Sequence, residues 1–270
     1  MKTKKRFGQH FLKDKHLVTR ILAALEAAPG ERFLEIGPGP GTLTLPFNRL
    51  GFGLTVVEAD LDMIDVLKQL RFDPPVEIIH ADFLELDPAA LIARPTKLFS
   101  NLPYNASVPI TAMLLARSEH IPLMVFMYQK EVAERIRAQP HTKAYGPISV
   151  LAQAFYDFDL FFNVKPGAFY PPPKVNSQVI RFRRRATPLF PPGELAHMTD
   201  LLRFLFQQRR KMIGNRLKNW DPDWIRPVFL LESLERCGLD PRSRPENLSP
   251  ADYARWLHTA KEHHARSTNT

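Results

Sequence analysis

The sequence predicts an α/β fold, in which a mostly parallel, doubly wound sheet is followed by a small domain built of helices only. Short apolar segments typical of buried strands alternate with segments of helical periodicity between residues 16 and 182. A glycine-rich turn at residues 37–41 follows the first of these strands. Three prolines between residues 186 and 193 end the alternation, so we expect a first domain over residues 1–187 and a second over residues 188–270.

The elements of the first domain follow from these apolar patterns in order. Strands are expected at residues 32–36, 54–58, 76–80, 97–100, 121–127, 160–164 and 178–182. Helices are expected at residues 16–28, 61–70, 108–117, 129–138 and 147–155, with Thr42 as the N-cap of a further helix. The last two strands have no helix between them, so we expect an antiparallel pair at one edge. Seven strands with that ending favour the methyltransferase variant of the Rossmann sheet over the dehydrogenase variant.

The second domain shows helical periodicity alone. Helices are expected at residues 195–208, 211–219, 229–237 and 251–262. Ser249 precedes Pro250, and this pair is typical of an N-cap followed by proline at the first helical position. Residues 263–270 are expected to form a frayed tail.

Composition restricts the class of protein. The chain has 270 residues and one cysteine, Cys237, which excludes an internal disulfide and argues against a cysteine-based zinc site. Its nine histidines show no ligand spacing, so no metal is expected. The longest apolar stretch, residues 121–128, is far shorter than the ~20 residues of a membrane-spanning helix. We therefore expect a cytoplasmic protein with no membrane segment.

The net charge of +9 is concentrated in three stretches. Residues 1–30 carry seven basic and two acidic side chains, residues 181–185 contain four arginines, and residues 201–220 hold six basic residues and no acid. This distribution predicts contact with a polyanion, although a solvated basic surface would also explain it. Residues 209–211 and 216 are expected on consecutive helical turns. This arrangement favours a protein that recognises RNA by its shape. The residues expected to bind RNA are Lys4, Lys5, Arg6, Arg183, Arg184, Arg209, Arg210 and Lys211.

The glycine-rich turn predicts a site for a ligand without phosphates. Its G-x-G-x-G spacing differs from that of dinucleotide sites, and its two prolines lack the N–H groups that a pyrophosphate would use. S-adenosylmethionine fits better. Glu58 ends the next strand and can accept both ribose hydroxyls, while Asp82 can accept from an adenine amino group beside Phe83 or Leu84. A tight turn, a surface acid and a turn-forming aspartate are the alternatives.

The tetrapeptide after the fourth strand predicts chemistry on an adenine amine. This amine is a poor nucleophile, because its lone pair is delocalised into the ring. The Asn101 side-chain oxygen and the Leu102 carbonyl can accept its two hydrogens, Pro103 fixes the backbone, and Tyr104 offers a ring on which the base stacks. Methyl transfer then needs in-line positioning and neutral dipoles rather than a strong general base. A simple turn is the alternative for these four residues taken alone.

A third motif combines aromatic residues with three prolines. Residues 171–173 are all proline, which gives stiff polyproline geometry. Such a loop could hold Phe169 as a second wall of a base sandwich opposite Tyr104. The alternative is a proline-rich linker with an aromatic side chain packed on the sheet edge, and the residues alone favour this alternative.

Four motifs in order resemble the ribosomal RNA adenine dimethyltransferase family, and the resemblance covers essentially residues 1–265. The motifs lie at residues 8–12 (GQHFL), 35–41 (EIGPGPG), 101–105 (NLPYN) and 169–177 (FYPPPKVNS). The resemblance implies a Rossmann-like class I fold that uses S-adenosylmethionine, with a catalytic first domain and a second domain that binds ribosomal RNA.

The resemblance also implies roles for individual residues. His10 and Leu12 would close over the methionine end of the cofactor, Gly37 would lie beneath it, Glu58 would hold the ribose, and Asn101 would touch both cofactor and target amine. Family members with Asn at the position of His10 retain a hydrogen-bonding side chain there. Tyr104 and Phe169 would stack the flipped-out base. The full set expected at the cofactor is Gln9, His10, Leu12, Gly37, Gly39, Glu58, Asp82, Phe83 and Asn101.

The resemblance implies an enzyme that dimethylates two adjacent adenosines in a loop near the 3′ end of 16S rRNA. Its partner would be the immature 30S particle, whose maturation it helps to gate, and it would act as a monomer. Two alternatives stay open: a related methylase of large-subunit (23S) rRNA that confers macrolide resistance, and a ribosome-assembly or transcription factor that uses the fold as an RNA clamp. A DNA adenine methylase fits less well, since no separate domain for duplex recognition is apparent.

Overall fold

The computed structural model describes residues 10–268, and the chain divides into two compact units. The first unit comprises the residues up to Ala133 together with Asp157–Arg184, and the second comprises Glu134–Tyr156 together with the residues from Arg185 onward. Residues 147–155, which we expected in the first domain, thus group with the second unit. The division of roles at residue 187 stays a prediction.

A seven-stranded sheet forms the centre of the first unit. Its strands follow the order β4-β3-β2-β5-β6-β9-β7, and a separate two-stranded sheet joins β1 to β8. The strands are β1 (Phe11–Leu12), β2 (Arg32–Ile36), β3 (Thr55–Glu58), β4 (Glu77–His80), β5 (Thr96–Asn101), β6 (Leu123–Gln129), β7 (Tyr156–Val164), β8 (Phe169–Tyr170) and β9 (Ser177–Arg184).

The directions of these strands confirm the predicted class I fold. Strands β4, β3, β2, β5 and β6 pair in parallel, and β9 pairs antiparallel to β6. The last two long strands are neighbours as expected, with β9 inside and β7 at the edge. Strand β6 is buried over six of its seven residues, as expected for a parallel strand covered on both faces. The carboxyl ends of the parallel strands therefore meet along one edge of the sheet.

The helices of the first unit are shorter than their apolar patterns suggested. They are α1 (Lys15–Ala23), α2 (Thr44–Asn48), α3 (Leu61–Lys68), α4 (Pro88–Leu91) and α5 (Ser107–Leu115), while α6 (Lys130–Ile136) crosses into the second unit. The helix predicted to reach residue 28 ends at Ala23, because Glu26 adopts a left-handed backbone with φ 48°. The predicted N-cap at Thr42 is wrong: α2 begins at Thr44 after Leu43, which provides no side-chain cap.

The pairing of β1 with β8 was not predicted. It brings Phe11 opposite Tyr170 and Leu12 opposite Phe169 across a long sequence separation. Leu12 and Phe169 are both buried in the core of the first unit. Two-residue strands leave no periodic signal in a sequence, so this contact only becomes visible in the structure.

Helices make up the second unit. They are α7 (Pro147–Phe155), α8 (Leu195–Phe206), α9 (Ile213–Leu217), α10 (Pro227–Arg236) and α11 (Pro250–Thr268). The predicted cap of α11 is confirmed, because Ser249 Oγ accepts from Asp252 N at 3.1 Å and Asp252 Oδ2 accepts from Ser249 N at 3.0 Å. The predicted frayed tail is wrong over residues 263–268, which continue α11. His263 packs on the Phe229 ring with 4.9 Å between centroids, and this contact extends the helix.

Two features are absent from residues 10–268. No helix in this range combines the length and apolar character needed to cross a membrane. The same range places no group of three or more His, Cys, Asp or Glu side chains where they could hold a metal ion.

Candidate active site

A cavity of about 270 Å³ opens in the first unit at the carboxyl ends of the parallel strands. Doubly wound sheets bind their ligands in this crevice. The segments that follow β2, β3, β4 and β5 line it, together with residues 10–12. Every described residue of the expected cofactor set lines the cavity: His10, Leu12, Gly37, Gly39, Glu58, Asp82, Phe83 and Asn101. Gln9, the remaining member, lies outside the described residues.

The glycine turn after β2 leaves the floor of the cavity free of side chains. Gly37 and Gly39 both have left-handed backbones, with φ +64° and +56°. A β-carbon on Gly39 would lie 2.9 Å from the Phe11 ring, which is closer than such contacts allow. The Gly39 N–H donates to Glu58 Oε2 at 2.9 Å, so the turn and the end of β3 are fixed to each other.

Glu58 is 7% exposed and holds its carboxylate at the cavity wall. Its second oxygen, Oε1, accepts from Asp60 N at 2.9 Å. Burial raises the pKa of Glu58, and the backbone N–H groups of Asp60 and Gly39 oppose that rise. Each carboxylate oxygen has a further lone pair, so Glu58 can still accept a pair of ribose hydroxyls.

Glu35 is a cavity residue to which we assigned no role from the sequence. Its carboxyl is 1% exposed and accepts from the Thr44 hydroxyl at 2.7 Å. Burial raises its pKa to about 8, with the nearby Glu58 charge contributing to the rise and the Thr44 hydrogen bond opposing it. Glu35 is therefore mostly protonated at neutral pH. The signal in the sequence was a single acid inside an apolar strand, since such a residue is costly to bury without a function.

Asp82 forms a turn, as the alternative interpretation had it, and its position also suits the predicted contact with an adenine amino group. Its Oδ1 accepts from Leu84 N at 2.9 Å and caps the short turn Phe83–Glu85, which is the turn-forming role. Asp82 also lines the cavity, where its other oxygen can accept from a ligand. Phe83, 4% exposed, lies beside it as an apolar surface for a flat ring.

The four residues after β5 form one wall of the cavity. The Asn101 side-chain nitrogen donates to the His10 carbonyl at 2.9 Å, which fixes the orientation of its amide. Among residues 10–268, nothing donates a hydrogen bond to Asn101 Oδ1 or to the Leu102 carbonyl. These are the two neutral acceptors that the sequence predicted for the target amine. Pro103 also lines the wall and faces Gly37, at 3.7 Å from the position of a β-carbon there.

Two neighbours hold the Tyr104 ring. Its hydroxyl shares a hydrogen bond of 2.8 Å with the Ser177 hydroxyl, and its ring centroid lies 5.6 Å from that of His10. His10 Nδ1 in turn donates to the Pro171 carbonyl at 2.8 Å. Burial raises the pKa of Tyr104, so the ring is neutral at physiological pH.

Phe169 does not join Tyr104 at the cavity. It is 1% exposed, pairs with Leu12 across β1 and β8, and belongs to the core of the first unit. Successive side chains on a strand face opposite sides, and the outward one is Tyr170, which is 64% exposed. The structure thus places Phe169 as the alternative interpretation had it, packed into the sheet, and its stacking role stays a prediction.

The basic residues expected to bind RNA have different surroundings. Lys4, Lys5 and Arg6 lie outside the described residues. Arg183 forms ion pairs with Asp159 at 2.6 Å and Glu26 at 3.0 Å. Arg184 donates to the Glu119 carbonyl. These arginines therefore also have structural partners within the first unit.

The cluster at residues 209–211 lies in a turn between α8 and α9, so its predicted helical spacing is wrong. Arg209 forms an ion pair with Glu246 and donates to the Lys143 carbonyl at 2.7 Å. Arg210 and Lys211 are exposed. Contact of any of these residues with RNA stays a prediction.

Comparisons with known proteins agree with this geometry. A family model described as ribosomal RNA adenine dimethylase matches residues 1–260. A ribosomal RNA small subunit methyltransferase A from Alcanivorax borkumensis is 40% identical over 254 residues, covering 93% of this chain and 88% of the relative. The protein of the same name from Pseudomonas aeruginosa is 40% identical over 258 residues, covering 94% and 93%.

Solved structures are similar over almost the whole chain. A dimethyladenosine transferase from Plasmodium falciparum superposes with a TM-score of 0.74 at 23% identity, covering 94% of this chain and 98% of the other, which shows a common fold. The 23S rRNA methyltransferase ErmE superposes with a TM-score of 0.67 at 25% identity, covering 93% and 99%.

Proposed function

Because the chain belongs to the ribosomal RNA adenine dimethylase family, it is an S-adenosylmethionine-dependent methyltransferase of ribosomal RNA adenines, and we propose that its substrate is the small-subunit RNA. The proposed targets are two adjacent adenosines near the 3′ end of 16S rRNA, in an immature 30S particle. We further propose that the protein acts as a monomer in the cytoplasm and contributes to small-subunit biogenesis.

The names of the relatives support the small-subunit substrate, and the orientation of the Asn101 amide carries the proposed chemistry on an adenine amine. Its nitrogen is occupied by the His10 carbonyl, so its oxygen is left to accept from a ligand beside the Leu102 carbonyl. Two neutral acceptors on adjacent residues match the two hydrogens of an adenine amine. Holding both hydrogens turns the nitrogen lone pair towards an electrophile. The Tyr104 ring at the same wall supplies a face for the base.

Other residues that line the cavity fit the methyl donor. S-adenosylmethionine supplies a methyl group on a positively charged sulfur. Glu58 offers acceptors for its ribose, Phe83 a surface for its adenine, and the floor at Gly37 and Gly39 leaves room for its chain. His10 also lines the cavity, and its carbonyl accepts from the Asn101 side chain.

The chain needs no strong base for this reaction. The amine loses its proton after the methyl group has arrived, and water can take that proton. What Asn101 and Leu102 contribute is two dipoles directed at the positive charge that develops on nitrogen. Tyr104 keeps the base in line with the donor, and the neutral form of its hydroxyl leaves no competing charge.

To test the proposal, the protein and radiolabelled S-adenosylmethionine are incubated separately with undermethylated 30S particles, 50S particles, naked 16S RNA and naked 23S RNA. The methylated positions are then mapped by mass spectrometry. We expect label on two adjacent adenosines of 30S particles alone. Label in 23S RNA would support the alternative that the likeness to ErmE favours. Particle binding without label would support an assembly factor without catalysis. Light scattering of the purified protein tests the monomer.

A further inference from the structure

The proline segment, residues 171–177, contacts the site at both of its ends. Its first residue accepts a hydrogen bond from His10 Nδ1 through the Pro171 carbonyl, at 2.8 Å. Its last residue, Ser177, shares a hydrogen bond of 2.8 Å with the Tyr104 hydroxyl. Neither contact involves Phe169, which precedes the segment and is buried in the core.

The Ser177 end is fixed to the sheet. Ser177 is fully buried and pairs with Gln129 in the register of β6 and β9. The Lys130 N–H also donates to the Asn176 carbonyl at 2.9 Å. The hydroxyl that meets Tyr104 is therefore held by backbone pairing on an interior strand, β9.

The chain between the two ends has little freedom. Three consecutive prolines fix φ at residues 171–173, and Pro173 is buried. The prolines thus stiffen the start of the connection between the carbonyl that holds His10 and the hydroxyl that holds Tyr104, and the backbone contact of Asn176 holds its end. His10 also contacts the Tyr104 ring and accepts from the Asn101 amide at 2.9 Å.

We propose that the proline segment positions the base-binding wall: Ser177 fixes the Tyr104 ring directly, and the Pro171 carbonyl fixes it through His10. The proposal rests on the proposed function, since it takes Tyr104 as the platform for the target adenine. Ser177 is a positioning residue, which touches neither donor nor base. The wall is then in its working geometry before the base arrives, so that binding energy is not spent on ordering the ring.

The test compares Ser177→Ala, Tyr104→Phe and the double variant, because each removes the same hydrogen bond. We expect each single variant to lower kcat about 10-fold, with KM for the 30S particle and the affinity for S-adenosylmethionine unchanged, because 10-fold corresponds to about 1.4 kcal/mol, which one lost hydrogen bond can supply. The double variant is expected to match the single variants. Multiplied effects in the double variant, or a normal kcat in Ser177→Ala, would overturn the proposal.

Ser233→Ala is the matched control, because Ser233 is an equally buried serine whose hydroxyl donates to the Leu230 carbonyl at 3.0 Å. It should keep the wild-type kcat. Pro172→Gly, at an exposed position, should lower kcat by loosening the connection, whereas Pro222→Gly should not. A normal kcat in Pro172→Gly would overturn the part of the proposal that invokes stiffness.

A second measurement is independent of activity. The NMR signal of Tyr104 is observed in protein with ¹³C-labelled tyrosine rings and is assigned by its loss in Tyr104→Phe. In Ser177→Ala this signal should shift and become an average over several ring orientations. In Ser233→Ala it should stay unchanged. An unchanged Tyr104 resonance in Ser177→Ala contradicts positioning by Ser177. If the wild type methylates no RNA, the proposed function fails, and this measurement still decides whether Ser177 fixes the ring.

Discussion

Asn101 occupies surroundings that a simple turn would not require. Its side-chain nitrogen is held by a carbonyl from a segment 91 residues away, which leaves its oxygen free to accept, and both Asn101 and Leu102 line the cavity. The sequence predicted these two acceptors because their chemistry suits an amine with two hydrogens. It could not predict the partner that orients the amide, since His10 reaches Asn101 only through the tertiary fold.

We expect Asn101→Ala to lower methyl transfer at least 10³-fold, because it removes an acceptor on which the reacting amine depends. Binding of 30S particles should stay within about twofold, since no phosphate contact is lost. Transfer is measured with labelled S-adenosylmethionine, and binding by filter retention. Asn219→Ala, at an exposed asparagine that does not line the cavity, is the control. Transfer at a normal rate by Asn101→Ala would exclude the proposed chemistry.

Glu35→Gln should change how stability depends on pH. The folded chain keeps a proton on Glu35 up to a pKa of about 8, whereas the unfolded chain releases it near the ordinary value of 4.5. The wild type therefore loses stability as pH rises through this window, by several kcal/mol at about 1.4 kcal/mol per pKa unit. The variant cannot ionise, so its stability relative to wild type should increase from about pH 5 to about pH 9.

Urea unfolding followed by circular dichroism at both pH values measures this difference. Glu85→Gln, at an exposed acid, controls for the loss of a carboxylate. A stability difference between Glu35→Gln and wild type that stays constant with pH would show that Glu35 is already ionised in the folded protein.

At the scale of elements, the helices and strands with the strongest local pattern of apolar residues were the ones that the sequence predicted best. The five parallel strands were predicted within about two residues at each end, because buried parallel strands give continuous apolar runs, whereas β7 begins at Tyr156, before its predicted start at residue 160. The pairing of β1 with β8 and the end of α1 depend on contacts and backbone angles that no window of residues contains. The same limit explains Phe169: its motif was visible, but the direction of its side chain depends on the partner strand.

The glycine turn gives a prediction at this scale. Gly39→Ala should weaken S-adenosylmethionine binding about 10-fold or more, because the new β-carbon would displace the Phe11 ring that lines the cavity. Gly51→Ala is the control, since Gly51 shares the left-handed backbone but has open space around its β-carbon position. Both variants should lose about 1 kcal/mol of stability from backbone strain. Calorimetry measures the affinity, and equal affinities in both variants would contradict the steric argument.

At the scale of the whole molecule, the charge pattern predicted a polyanionic partner but not which residues would be free to contact it. Several of the predicted arginines form ion pairs or donate to carbonyls, as Arg183 and Arg209 do. The sequence shows how many charged residues are present, but it does not show which guanidinium groups are paired and which are exposed. Arg210 and Lys211 are the exposed members of their cluster.

Replacing Arg210 and Lys211 together by glutamine should weaken RNA binding and reduce its salt dependence. Each lost phosphate contact lowers the slope of log K against log salt by about 0.7 to 0.9. Filter binding at several potassium chloride concentrations measures this slope. Arg209→Gln should instead lower stability, through loss of its pair with Glu246, and leave the slope unchanged. An unaltered slope in the double variant would assign the cluster to solubility alone.

The contact between the Phe11 ring and Gly39 has a consequence for how this sequence can diverge. The ring occupies the space that any larger residue at position 39 would need, so position 39 cannot change before position 11 does. In sequences that descend from this chain, a residue larger than glycine can occur at position 39 only after Phe11 has been replaced by a smaller side chain. We therefore expect residues 11 and 39 to covary among related sequences.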